Sequence, residues 1–542
     1  ELAQLVDGAV EIPVDIGADD HAAVQQIRLP EGFTATLYAA EPDVVQPIAM
    51  AFDDRGRLWV VECLSYPDWQ AGAEGPDRVV IFEDTDGDGR HDARRVFWDR
   101  GRNLTGIELG VGGVFLCSTP ELLFIPDADQ DGQPDGPPQA VLDGWDLAAR
   151  HNFFNGLAWG PDGWLYGCNG ILANARVGPP GTPDPQRVYS SCGVWRYHPY
   201  THAFEVVAHG TTNPWGLDFD ERGELFITNC VIKHLWHVIP GGHYERMFGR
   251  DPHPHAYELM KSCADHLHWA GGDWQSSRGG QGAHDQPGGG HAHAGCLIYQ
   301  GGQFPPEYHN SVFMANIHGN RLNRDLLLRS GSGYVARHAP DFMHAHDPWF
   351  RGLVVKSGPD GAIYVSDWSD TGECHDYDEV HRTSGRIWRI AYTGNQARTA
   401  GGAGQHAGSL DLAALPDAQL VALQRHANVW HVQHARRLLA ERARAGRLGQ
   451  EGLARLRDAL FAGEQELLRL RALWCLYGAG AVSEAELGRL LSDPCETLRA
   501  WAVRLAVDAG PPSAPLQAEL AAAAGRESSP YVRLQLACAL QR

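Results

Sequence analysis

Two nine-residue loops carry the most specific chemistry in this chain. Asp84-Thr85-Asp86-Gly87-Asp88-Gly89-Arg90-His91-Asp92 sets carboxylates at Asp84, Asp86, Asp88 and Asp92, and Asp127-Ala128-Asp129-Gln130-Asp131-Gly132-Gln133-Pro134-Asp135 repeats the spacing at Asp127, Asp129, Asp131 and Asp135. Alternate oxygens wrapped around a glycine bend suit a hard cation, Ca2+ above all. Neither loop has the downstream bidentate Glu of a sensor EF-hand, so calcium is expected to pin turns rather than to catalyse. The plainer alternative is a pair of polar loops without metal. Histidine is the second signal: 27 in all, with His-x-His pairs at His266/His268 and His291/His293. In a strand, residues i and i+2 face one way, so each pair would present two imidazoles together. Such a set suits a transition metal such as Zn, Cu or Fe, with His318 and His151 as weaker additions; a hydrogen-bonded loop network is the competing reading. A third cluster runs Asp367-Trp368-Ser369-Asp370-Thr371-Gly372-Glu373-Cys374-His375, followed by His381-Arg382 and Arg386. Asp370 and His375 beside arginines could bind a sugar or anionic cofactor or do acid–base work; equally, the segment could simply tie a loop.

These residues need a scaffold, and the scaffold repeats. Six times, at intervals near sixty residues, a polar turn precedes an alternating apolar run: Asp53-Asp54-Arg55-Gly56, Gly112-Gly113, Gly160-Pro161-Asp162-Gly163, Asp220-Glu221-Arg222-Gly223, Gly288-Gly289-Gly290 and Gly358-Pro359-Asp360-Gly361. Each reads as a tight turn feeding a half-buried strand. Radial repetition follows, giving an all-β six-bladed propeller over residues 30–398 after an N-terminal extension, 1–29. Phe33–Tyr38 and Gly385–Ile390 are expected to pair and close the ring, which removes exposed edges. A Gly-rich linker, 399–409, leads to an all-α region, 410–542. There, four look-alike helical segments (429–438, 467–476, 498–505 and 531–540) suggest HEAT-like repeats able to take a protein partner. The last helix has no polar cap, so the natural chain is expected to continue.

Composition narrows the partners. A net charge of −22 argues against nucleic acid, and no run reaches the roughly 18 apolar residues of a membrane span. The opening Glu1-Leu2-Ala3-Gln4 fits an exported chain, periplasmic or secreted, whose signal peptide is already gone. Eleven cysteines include no CxxC and no CxxCH, which excludes a zinc ribbon and covalent haem in this chain. Cys168 and Cys192 flank one blade-sized loop and could be bridged or could stay as buried thiols.

Several segments resemble a known family. Gly32-Phe33, Met50-Ala51-Phe52-Asp53, Asn155-Gly156-Leu157 through Gly167, Asn213-Pro214-Trp215-Gly216, Gly289 to Gly295 and Asp367 to His375 are similar to the membrane-bound dehydrogenase propellers of planctomycetes and relatives. That family continues into HEAT repeats and then a cytochrome c domain, which this chain lacks. It is in turn similar to soluble quinoprotein glucose and sorbosone dehydrogenases. The resemblance implies pyrroloquinoline quinone over the propeller axis, His151 as the base for a sugar or alcohol hydroxyl, and Asn213 as a quinone contact. The quinoproteins have Arg-Asn-Pro where this chain has Thr212-Asn213-Pro214, so the charge of the cofactor would fall to Lys356, Arg382 and Arg386. The implied activity is an exported dehydrogenase passing electrons to a cytochrome c. The alternatives are a His-metal enzyme on carbohydrate and a non-catalytic propeller–helix scaffold.

Overall fold

The computed structural model describes residues 19–69, 71, 72, 74–149, 151–372, 380–394 and 410–542. Their strands form six sheets, antiparallel but for one added parallel strand, Gly242–Arg246. The innermost strand of each comes first in its repeat: Pro47–Phe52, Leu104–Gly110, Phe154–Trp159, Asn213–Phe219, His293–Ile298 and Gly352–Ser357. These six contact one another in a closed circuit, the last returning to the first, so the sheets are blades 1 to 6 of a six-bladed propeller. Five apolar clusters fill the wedges between successive blades, which is how sheets buried on both faces satisfy their alternating side chains. Phe33–Ala40 pairs antiparallel with Arg386–Tyr392, from Phe33 opposite Tyr392 to Ala40 opposite Arg386. The first strand therefore completes the last blade, as the sequence predicts.

Each inner strand carries a register shift near its middle. Gly216 shows why glycine serves there. Its φ is +108°, and a Cβ would lie 2.6 Å from the Cys296 backbone nitrogen of the next inner strand. Neighbouring backbones meet too closely at the channel for a side chain.

Five of the six recurrent turns join the inner strand to the second strand of a blade. The sixth does not. Gly288–Gly290 precedes the inner strand of blade 5, and the equivalent connection is the longer Tyr299–Asn310 segment. The long excursion between Arg246 and His293 displaces the glycine-rich stretch by one strand.

After the propeller, helices alternate between two layers. Val429–Arg444, Glu466–Gly478, Glu496–Ala506 and Pro530–Ala539 form the inner layer, each touching the next, and each contains one of the four look-alike segments. The inner layer lies on the face bearing the recurrent turns and contacts the first hairpin connection of every blade. Blade 1 gives Asp54 to His434 and Arg437, blade 2 gives the Val111 N–H to Glu441, and blade 3 donates from Trp164 to Asp508. Blade 4 presents Arg222 O to Trp501, blade 5 Gln300 O to the Val429 N–H, and blade 6 the carbonyls of Gly358 and Pro359 to Asn428. Trp430, Trp474 and Trp501 merge with Leu58, Phe82 and Tyr364 in one buried cluster. One face is thereby closed, and among the described residues the helical stack leaves the opposite face, the open face, uncovered.

Among the described residues no helix is long and apolar enough to cross a membrane. Cys168 and Cys192 are free and buried. The bridge is not formed; the Cys192 thiol lies by Thr211 Oγ1 and Thr212 O, and burial pushes it up to about 12.

Candidate functional site

All inner strands run the same way, so their first residues gather at the open face. His151 stands three residues before the inner strand of blade 3, Asn213 begins that of blade 4, and His291 lies two residues before that of blade 5. Asp370 follows the second strand of blade 6 on the same side. These four sequence-predicted residues thus share one mouth, although their environments differ.

His151 has its Nδ1 2.8 Å from the Tyr66 hydroxyl, which comes from blade 1. Tyr66 packs edge-on against Trp69 and Trp368, and the Arg382 guanidinium stands 5.3 Å from the centre of its ring. Arg382 also reaches Asp370 at 3.3 Å. Asp370 is almost wholly buried and accepts the N–H groups of Gly372 and His381, each at 3.0 Å. Such a carboxylate ties its loop. His375 lies outside the described residues.

Two residues assigned to a cofactor have other partners. Arg386 is buried between Asp367 and Asp347, a structural use that also fixes the closing strand. Lys356 lines the channel below the mouth, where its charge opposes the burial that raises the Glu108 and Asp218 carboxyls. Asn213 does present something: its buried side-chain oxygen has no hydrogen-bond partner. Sequence reasoning missed Arg246, at the end of a neighbouring strand. Arg246 is in register with Thr211, bonds Ser191 at 3.1 Å, and has two further guanidinium nitrogens buried without partners. An arginine so placed brings a charge opposite Thr211, two residues before Asn213, from another strand.

The two His-x-His pairs behave differently. His266 and His268 point together, with Nε2 atoms 3.1 Å apart. They converge on Asp325, which is fully buried in Arg321–Ser330, the third strand of blade 5. His234 reaches the other oxygen of Asp325 at 2.8 Å. His291 and His293 part company, because the strand begins only at His293 and the period of two does not extend back to His291. His293 Nε2 meets His268 Nδ1 at 2.8 Å. His291 and His318 instead flank Ser277, whose hydroxyl is 3.0 and 2.9 Å from their Nδ1 atoms. Burial first, then the neighbouring His234, pushes His268 down to about 3. Burial would raise Asp325, but His234 and His268 hold its carboxyl well below the ordinary range. Burial thus favours the neutral form of His268 beside an ionised Asp325.

Both acidic loops join the third and fourth strands of blades 1 and 2, on the closed face. In each, three of the four carboxylates converge: Asp84, Asp86 and Asp92, then Asp127, Asp129 and Asp135. Asp88 and Asp131 instead cap the N–H groups of Arg90 and Gln133. Asp127 Oδ1 is buried and without a partner, and burial pushes that carboxyl up to about 6.

Comparison with known proteins adds the following. No curated protein matches the sequence. Similar solved structures include the PQQ-bound form of an aldose sugar dehydrogenase from Streptomyces coelicolor, 16% identical over 67% of this chain and 99% of that one, with a TM-score of 0.43. A Thermus thermophilus protein named as an oxidoreductase (glucose dehydrogenase) is 19% identical over 66% and 100% of the two chains, TM-score 0.43. The apo-form of a soluble aldose sugar dehydrogenase from Escherichia coli is 14% identical over 66% and 99%, TM-score 0.37. Likenesses of this size carry no argument about activity. The family model that matches is described as a domain of unknown function, DUF7133, and it spans residues 19–394, the closing strand included; the chain belongs to that family.

Proposed function

We propose that the chain is an exported oxidoreductase that dehydrogenates a sugar or alcohol at the open mouth of its propeller. The observation that carries this reading is His151 at the mouth with its Nδ1 2.8 Å from Tyr66. If Nδ1–H donates to the tyrosine oxygen, Nε2 keeps the lone pair that a general base needs. Trp69 and Trp368 flank Tyr66 with apolar edges, a wall suited to the carbon face of a sugar.

A planar polycarboxylate fits this mouth with an amended set of holders. Among the described residues Arg246 has two unpartnered buried nitrogens and Arg382 leans over Tyr66, two cations for its carboxylates, while the unpartnered Asn213 oxygen would accept from an N–H or O–H of the ligand. Pyrroloquinoline quinone held there would supply the hydride acceptor. The chain's own residues would neutralise its carboxylates and orient the hydroxyl toward His151. A cytochrome c is the expected electron acceptor. Calcium in the two acidic loops would be structural, and the helical stack, HEAT-like in its paired layers, would offer its outer face to a protein partner.

The test is reconstitution of the purified chain with pyrroloquinoline quinone and Ca2+, followed by dye-linked oxidation of a panel of aldoses and alcohols. Quinone-dependent turnover is expected; absence of quinone binding at saturating concentration refutes the reading.

A further inference from the structure

We propose that His266, His268 and Asp325 hold a divalent transition-metal ion between blades 4 and 5, with His338 as a fourth donor. The three central atoms, His266 Nε2, His268 Nε2 and Asp325 Oδ1, form a nearly equilateral triangle with sides of 3.1, 3.1 and 3.2 Å. A tetrahedral ion bound at about 2.0–2.2 Å keeps its donors about 3.3–3.6 Å apart, so the triangle needs to widen by only a few tenths of an ångström. His338 Nδ1 lies 3.2 Å from His268 Nε2 on the more exposed side, and His266 is also partly open to solvent. An ion therefore has a way in.

The outer partners turn lone pairs toward the centre. Asp265 Oδ1 is 3.0 Å from His266 Nδ1, and a carboxylate there takes the Nδ1 hydrogen. His268 Nδ1 can donate in the same way to His293 Nε2 at 2.8 Å. His234 secures the far oxygen of Asp325 at 2.8 Å, leaving Oδ1 directed at the imidazoles. A carboxylate behind a histidine ligand, as Asp265 stands behind His266, is the usual second layer of a metal centre. With the Nδ1 hydrogens directed outward, two imidazole lone pairs and a carboxylate oxygen face one another only 3.1–3.2 Å apart. A cation at the centre replaces that repulsion with coordination. Imidazole-rich donors with one carboxylate select a borderline transition metal over calcium. His291 is not a ligand, since it sits with His318 on Ser277.

The site is tested by titrating the metal-free full-length chain with Co2+ in excess Ca2+, which keeps the acidic loops filled. Visible d–d absorption and elemental analysis read the binding. One Co2+ per chain is expected. His266→Ala should weaken binding by more than about tenfold and Asp265→Asn by about 10–100-fold, while His291→Ala leaves it unchanged. His266 is partly exposed, so its alanine variant should melt like the wild type. Folded wild-type chain that takes no Co2+ would overturn the proposal, as would unchanged binding in His266→Ala. No quinone or sugar is present in the assay, so its outcome is separate from that of the dehydrogenase reading.

Discussion

Glu224 offers the sharpest test of how the helical stack is held to the propeller. It is buried at the end of the blade 4 turn, 1% exposed, and accepts from Arg504, from the Tyr531 hydroxyl at 2.7 Å and from His237 at 2.8 Å. Burial alone would raise its carboxyl, but Arg504 and His237 bring it down from 4.5 to about 2. That difference corresponds to roughly 3 kcal/mol favouring the charged, docked form, in line with the 3–5 kcal/mol typical of breaking a buried ion pair. Glu224→Gln keeps the shape and removes the charge, leaving Arg504 buried without its counter-ion. We expect a loss of about 3 kcal/mol in urea unfolding followed by the fluorescence of Trp474 and Trp501, which meet at this interface. Because the folded value is depressed, the stabilisation is full above the ordinary glutamate range and is lost as pH falls from there toward about 2. The gap between wild type and variant should therefore narrow as pH drops from about 5 to about 3. A loss below about 1 kcal/mol at neutral pH, or a gap indifferent to pH, would refute the buried-pair account.

Three further outcomes are expected. In the reconstituted enzyme, His151→Ala should lower kcat by about 10²–10⁴-fold with quinone affinity retained, measured by steady-state kinetics alongside quinone titration. Chelation of Ca2+ should lower the melting temperature, and calcium added back should restore it, rising with the logarithm of its concentration; a melt unaffected by either treatment would mean that the Asp84 and Asp127 loops carry no structural ion. Cys168 and Cys192 should react with a thiol reagent only after unfolding, without prior reduction, since both are free and buried. A requirement for reductant would show that they are bridged.

Much of the scaffold is fixed by local chemistry. Turn residues such as Gly160-Pro161-Asp162-Gly163 and the apolar alternation after them act over a few positions, so six sheets can be counted from the chain alone. The pairing of Phe33–Ala40 with Arg386–Tyr392 is legible for a related reason: two strands left over at opposite ends have no other edge to satisfy. Spacing also marks the acidic loops, since their ligands lie within nine residues. The metal-like cluster was half visible, through His266 and His268.

Its centre, Asp325, was not visible. It sits mid-strand in an ordinary run, and only the angle between blades 4 and 5 brings it beneath two histidines about sixty positions earlier. His291 was grouped with His293 because a strand was assumed to extend through both, and the backbone straightens only from His293 onward. Arg246 comes opposite Thr211 through a parallel pairing that no periodicity announces. Nor did the turns reveal that all six first hairpin connections are covered by helices, for a turn made of Asp, Gly and Pro looks the same to solvent and to a docking partner. Local propensity sets which segments are strands and turns; which side chains then share a centre depends on ring closure and blade angle, quantities that only the packed chain possesses.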